Sequence, residues 1–371
     1  MWVNKLILAI EKIPYQFVFL LIYGYLMLFI EIFGLVGNLM SLCVLSHQSM
    51  KNSSSYAYLA ALASADALLL CCSFLLYTLP ALYDNYCVSF AMTPFVYPIS
   101  LTLATSTTWI AVAVTFERFL AIFNSWSRVK VSKARLVYTS IFIISAIYNF
   151  PRWFELQFVA KLSNSTNSSQ AVCWIESTAF GNRPFYRFSY YSLIYVAIRG
   201  IFPLVILIIL NSYLIFKVHL ALGTIPSLKQ ERDVELLARK VKKTRSRSLN
   251  AEVNETTFVR NTFRRRSHFS VIRINREINA KIWRTDLILI AIVGIFVICQ
   301  IPCLVYNLAY SISDATYFRS NHWWQTLSIY RNFTATFQSA FNFILYCVID
   351  NRFRKVLFSL IRPKHIIRWF K

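Results

Sequence analysis

Seven runs of predominantly apolar residues divide this chain, at approximately 17–46, 56–82, 94–123, 136–158, 189–218, 284–311 and 326–349. Each reaches the length of about 20 residues that a helix needs to cross the hydrocarbon of a bilayer. The expected fold is therefore an all-α membrane protein, a seven-transmembrane helix bundle occupying residues 17–350. Composition agrees: 57% of the 371 residues are hydrophobic and 15% charged, and the mean hydropathy is positive, which leaves too little polar surface to cover a soluble core. Neither the 7 glycines nor the 10 prolines recur at a fixed period, so solenoids, propellers and collagen-like arrays are excluded. Residues 1–16 read as a short N-terminus whose apolar part is too short for a signal peptide, so the first span is expected to act as an uncleaved anchor.

A net charge of +23 would suit nucleic acid, but the basic residues gather between and after the apolar runs, where topology accounts for them and no nucleic-acid partner is expected. Arg128, Lys130, Lys133 and Arg135 follow the third span. Arg239, Lys240, Lys242, Lys243, Arg245, Arg247 and Arg264 to Arg266 lie in the long stretch 219–281, and residues 351–371 carry seven basic groups and no acid. The positive-inside bias makes all three cytoplasmic. The N-terminus is then extracellular, in a multi-pass protein of the plasma membrane. On that topology the segment from about 160 to 188 is extracellular and offers Asn164 and Asn167 as glycosylation sites, while Asn52, Asn254 and Asn332 are discounted. Cys87 and Cys173 are the two cysteines in polar, oxidising surroundings, so a disulfide between them is expected against the alternative of two free thiols. No zinc spacing appears, and no nucleophile–base or metal-hydrolase motif suggests an enzyme.

An ionisable group inside a span is costly unless paired, hydrated or turned into the bundle. Asp66, with Asn38 and Asn342 in other spans and oxygens from Thr107 and Ser339, makes either a water-filled polar network or a sodium site, since a hard cation prefers oxygen ligands. No other cofactor is implied. Glu117 and Arg118 close the third span, either as a charge pair that releases in a switch or as a solvated Glu beside a snorkelling Arg. Glu31, Arg199 and Arg331 lie in the middle or outer half of spans one, five and seven. An ion pair Glu31–Arg331 is expected, because either charge alone would be expensive to bury. Pro203 and Pro302 interrupt spans five and six as hinges or fixed bends.

These residues resemble the rhodopsin-like G-protein-coupled receptors, from Gly37 to Phe353, with one motif per span in order. Gly37-Asn38 and Leu62-Ala63-Ser64-Ala65-Asp66 look like the first two signatures. Glu117-Arg118-Phe119 resembles Asp-Arg-Tyr, Pro203 the fifth-span proline, and Asn342-Phe343-Ile344-Leu345-Tyr346 the Asn-Pro-x-x-Tyr motif. Phe296 to Pro302 resembles the sixth-span pattern. Gln300 stands where the family has a tryptophan toggle, and Phe343 replaces the seventh-span proline. The fourth span lacks its usual tryptophan, and Cys87 lies further before Arg118 than the family's cysteine. Arg352-Phe353-Arg354 opens a short amphipathic helix along the membrane, with no cysteine after it for a palmitoyl anchor.

The strings VTFERFLAIF, YNFPRWFE, FPLVILIILN and NFILYCVIDNRFRK look like the invertebrate FMRFamide-type neuropeptide receptors. That resemblance implies an amidated peptide ligand, transmission to heterotrimeric G proteins through Arg118, Phe119, Tyr346 and Asn342, and arrestin and receptor kinases as further candidate partners. The guanidinium of an Arg-Phe-amide would seek an acid and its ring an aromatic wall. Glu155 beside Trp153 is the first choice, with Glu31, Glu176, Asp84 and Asp314 the other outer acids; the alternative is a surface Glu155 paired with Arg152. Ser246, Ser248 and Ser267 beside arginines are candidate phosphorylation sites. The competing functions are a chemosensory receptor for small molecules on the same fold and a secondary transporter, although no internal repeat is visible.

Overall fold

A computed structural model of the chain describes residues 19–83, 86–123, 130–162, 171–216, 290–291, 293–309 and 322–361. The chain forms two compact units, residues 211–290 and the remainder. The helices are α1 (Leu20–Leu45), α2 (Ser54–Leu82), α3 (Tyr86–Phe123), α4 (Val131–Phe154), α5 (184–216), α6 (Val293–Ala309), α7 (His322–Ile349) and α8 (Asn351–Ile361). An antiparallel hairpin, β1 (Leu156–Leu162) and β2 (Ala171–Ser177), separates α4 from α5, with Leu156 opposite Ser177 and Leu162 opposite Ala171. The second unit holds, among described residues, the end of α5. Helices α1 to α5 are each long and apolar enough to span a bilayer. The described part of α6 is apolar but shorter, and α7 runs for 28 residues.

The bundle is apolar outside and polar within, as lipid demands. Phe29, Leu136, Ile144 and Ile147 are two-thirds or so exposed, whereas Asn38, Asp66, Ser106 and Asn149 are buried. Among the five long spans α3 is the most enclosed and α4 the least. The hydroxyls of α3 make that enclosure possible. Thr102, Thr105, Ser106, Thr108 and Thr115 each donate to the carbonyl four residues back, so they enter the bundle without an unmet donor.

Helices α1 and α7 approach closely because α1 presents glycines there. A Cβ on Gly34 would stand 2.5 Å from Ala340 Cβ, and one on Gly37 2.8 Å from Phe343 Cβ. Two spans wind wide just ahead of a proline: Phe74–Thr78 precedes Pro80, and Val196–Ile201 precedes Pro203. Proline has no N–H to return to the turn before it, and a π-type turn accommodates that loss.

Two expectations are corrected. Residues 156–158, read as the end of the fourth span, lie in β1: Pro151 leads the chain into a tight 3₁₀ turn over Phe150–Phe154, and the strand begins beyond it. The Glu31–Arg331 ion pair does not form. Glu31 Oε1 accepts from the Ser73 hydroxyl at 2.7 Å, and the Arg331 guanidinium stacks on the Tyr306 ring at 4.1 Å.

Candidate functional site

Ser73 is where α1, α2 and α7 meet: besides donating to Glu31 it stands 2.8 Å from the Thr336 hydroxyl. Ser73 and Thr336 also line a cavity of about 90 Å³ walled by Tyr77 of α2, Tyr97 and Ser100 of α3, Tyr195 and Arg199 of α5, Asn307 of α6, and Arg331, Asn332 and Ser339 of α7. The two arginines, expected to belong to a ligand pocket, thus share one wall. Arg199 lies in the wide-turn stretch of α5 and is 8% exposed; one of its amino groups donates to the Tyr195 hydroxyl at 3.3 Å. Arg331 donates from Nε to Asn332 Oδ1 at 3.0 Å, and the Asn332 amide donates to the Tyr23 hydroxyl of α1 at 2.7 Å. Glu31 sits one residue behind the cavity, separated from it by Ser73.

The remaining expected pocket residues lie elsewhere. Glu155 accepts from Arg152 at 2.7 Å and from the Tyr186 hydroxyl at 3.1 Å. Arg152 is 1% exposed and lies over the Tyr195 ring at 4.3 Å and the Tyr190 ring at 5.2 Å. Asn149, also buried, donates to the Thr105 hydroxyl at 3.1 Å and the Ser145 carbonyl at 2.8 Å. The Asn-x-Pro-Arg string therefore turns its Asn and its Arg into the bundle and joins α4 to α3 and α5. Trp153 and Glu176 are exposed. Asp84, Asp314, Asn164, Asn167, Ser246, Ser248 and Ser267 lie outside the described residues. Cys87 at the start of α3 and Cys173 of β2 form a disulfide with Cα atoms 5.2 Å apart, fixing the hairpin to the bundle.

Below the cavity the Asn342 amide donates to Asp66 Oδ2 at 2.7 Å. Asn38 donates to the Gly34 and Ser339 carbonyls at 2.9 and 3.0 Å, leaving its own Oδ1 buried with no partner among the described residues. Thr107 donates to Ala104 on its own helix. Tyr346 is 1% exposed and packs 5.5 Å from the Phe353 ring of α8, which also meets Phe343 edge-on at 6.1 Å. Asp350 begins α8, accepting from the Arg352 N–H at 2.8 Å and from the Tyr56 hydroxyl of α2 at 3.1 Å. Arg354 donates to the Cys347 carbonyl at 2.8 Å and to the Val348 carbonyl, meeting acceptors that the end of α7 leaves open, and also to Asn351 Oδ1 of α8.

At the end of α3, the Ser54 hydroxyl of α2 donates to Glu117, whose second carboxylate oxygen has no hydrogen-bond partner among the described residues. Phe119 stacks 6.3 Å from Phe116. Phe296 of α6 is buried in a cluster with Val112 of α3, Leu207 of α5 and Val293; Gln300, one turn on, is buried too. The helices run through Pro203 and Pro302 without ending.

The cavity tyrosines, Asn307, Asn332 and Thr336 were not singled out in the sequence. Tyrosines inside apolar runs read as lipid-facing or packing residues; in the seventh span the signal was Arg331, an ionisable group inside an apolar run, and Asn332 drew notice only as a discounted sequon. A profile of the 7 transmembrane receptor (rhodopsin family) matches residues 37–346. The chain is similar to a Drosophila melanogaster FMRFamide receptor, 22% identical over 357 residues, covering 93% of this chain and 54% of that protein. It is also similar to the Caenorhabditis elegans FMRFamide peptide receptor frpr-18, 27% identical over 201 residues, 51% of this chain and 44% of that one. A Drosophila melanogaster sex peptide receptor is 23% identical over 357 residues, 90% and 71% of the two chains. The chain spans about half the length of the two FMRFamide receptors it matches.

Proposed function

Because the chain belongs to the rhodopsin family of seven-transmembrane receptors, we propose that it is a neuropeptide receptor, taking an amidated FMRFamide-like peptide at the Arg199–Arg331 cavity and signalling to a heterotrimeric G protein. The observation that carries this reading is the cavity itself. Five helices contribute to its wall, tyrosines and amides supply both rings and hydrogen bonds, and at about 90 Å³ it is well below the ~300–1,000 Å³ of a drug-sized pocket. It suits the tip of a longer ligand whose remainder lies outside, near the hairpin held by Cys87–Cys173, where Trp153, Glu155 and Glu176 would meet it. The names of the two FMRFamide receptors support the peptide class.

The cavity faces the cell exterior in this proposal, with Arg118 and the basic stretches inside, on the strength of the loop charges. From the cavity, Ser339 leads to Asp66 and Asn342, then to Tyr346 and α8. Binding biases the cytoplasmic face only by fitting one arrangement of these helices better than another. The wide turns before Pro203, and Pro302 in α6, are the places for hinges, with Phe296 and Gln300 packed between them and the cytoplasmic ends. The buried oxygens of Asp66, Asn38 and Ser339 fit a hard cation such as sodium, which would neutralise the carboxylate. Asn351–Ile361 would lie along the membrane, Phe353 and Leu357 inward and Arg352 and Lys355 to water. Arrestin and receptor kinases would act on the same cytoplasmic face.

A calcium-flux and cAMP screen of amidated peptides on cells expressing the full chain tests the reading. A saturable response absent from untransfected cells is expected; a receptor present at the surface and silent to every peptide contradicts it.

A further inference from the structure

Around Tyr195 of α5, Arg152 of α4 and Arg199 of α5 meet different fates. Arg152 reaches over the Tyr195 ring and is neutralised by Glu155 at 2.7 Å. Arg199 reaches the hydroxyl of the same Tyr195, yet no described carboxylate comes within ion-pair distance of it, and its Nε has no hydrogen-bond partner among the described residues. It is more than nine-tenths buried and lines the cavity. Arg331 lines the same cavity from α7. Among the described residues of the wall there is no Asp or Glu, and Glu31 is turned to Ser73 behind it.

A buried guanidinium that keeps donors unmet beside a second guanidinium is costly to hold. About the cavity, Ser73, Asn332 and Thr336 meet hydroxyl, carboxylate or carbonyl partners, and Asn307 meets the Cys303 thiol at 3.5 Å. The missing component is an anion with two oxygens in one plane, the shape that a guanidinium fork receives. A ligand guanidinium would meet like charge here.

We propose that the Arg199–Arg331 cavity seats a carboxylate of the ligand, from either the free C-terminus or an Asp or Glu side chain of a peptide. This rests on the receptor reading and sharpens it: an amidated peptide enters the cavity through an acidic side chain, and any arginine it carries stays outside.

Three synthetic tetrapeptide pools test the idea on cells expressing the full chain: amidated without Asp or Glu, amidated with Asp and Glu, and free-acid without acidic side chains. Calcium flux is read for the wild type, Arg199→Gln and Arg199→Lys at matched surface expression. The acid-bearing pool, terminal or side-chain, is expected to be about 10- to 100-fold more potent than the neutral pool, the range for charge-assisted hydrogen bonds. Arg199→Gln removes that preference and Arg199→Lys keeps part of it. Equal potency of the neutral pool, or a preference that survives Arg199→Gln, overturns the proposal. If no pool acts, the peptide reading fails, and thermal unfolding of the nanodisc receptor decides the carboxylate site separately. N-acetylphenylalanine should raise the Tm of the wild type but not of Arg199→Gln, with N-acetylphenylalanine amide inert; no acid-specific shift overturns the site.

Discussion

Asp66 shows how one residue can hold three helices in register. It lies in α2 and takes its hydrogen bond from Asn342 of α7, while Asn38 of α1 is tied to the carbonyl of Ser339, about one turn earlier on α7. With Asp66 1% exposed, losing the Asn342 amide leaves a buried carboxylate short of a donor. Asn342→Leu should therefore lower stability by about 1–3 kcal/mol, read as a fall in thermal midpoint in nanodiscs. Asp66→Leu in the same chain should recover most of it, because no buried acceptor then remains; additive losses would mean the two residues act separately. The polar members of this network were legible in the sequence, since each interrupts an apolar run. Their partners were not: the spacing of Glu31 and Arg331 along the chain says nothing of Ser73, whose hydroxyl takes the place assigned to the arginine. Tyr77, Tyr195 and Tyr306 escaped notice because a tyrosine in a span is equally at home against lipid or in a wall.

Elements meet where side chains are absent or capped. Gly34 lets α1 lie on Ala340, whose Cα would stand 2.7 Å from an added Cβ, so there is backbone in the way and no flexible tip to yield. Gly34→Val should reduce surface expression and thermal midpoint, whereas Gly294→Val, whose added Cβ meets nothing within 4 Å among the described residues, should leave both nearly unchanged. Equal effects would contradict the close packing. Phe343 fills the space over Gly37, which gives it a packing role. At the junction of α7 and α8, Asp350→Ala removes both the acceptor for the Arg352 N–H and that for Tyr56. A loss of about 1 kcal/mol is expected from the cap, and Tyr56→Phe in that background should add little. Helix existence was readable from hydropathy in all of α1 to α7. The ends were not: α3 begins at Tyr86, well before its apolar run, and Leu156 to Phe158 continue an apolar pattern although the chain has already turned into β1.

Over the whole molecule, the disulfide and the axis of polar contacts serve different ends. Cys87–Cys173 holds the hairpin where the outer part of a peptide would pass. Cys173→Ser should cost potency by about tenfold or more while leaving the maximal response of correctly delivered receptor intact, as freeing a loop lowers the population ready to bind. Family membership shows in motif order and in a profile match over residues 37–346, properties of the entire chain, and the proposed ligand class rests on the names of the relatives and on the cavity. In the proposed receptor, occupation of the Arg199 cavity would be transmitted to Arg118. The most direct measurement is nucleotide exchange on heterotrimeric G proteins, titrated with an active peptide, for wild type, Arg199→Gln and Arg118→Ala receptors in nanodiscs. The predicted result is a split: Arg199→Gln shifts the midpoint at least tenfold and keeps the maximum, while Arg118→Ala abolishes exchange and still binds peptide. Unchanged midpoint in the first, or full exchange in the second, would contradict it.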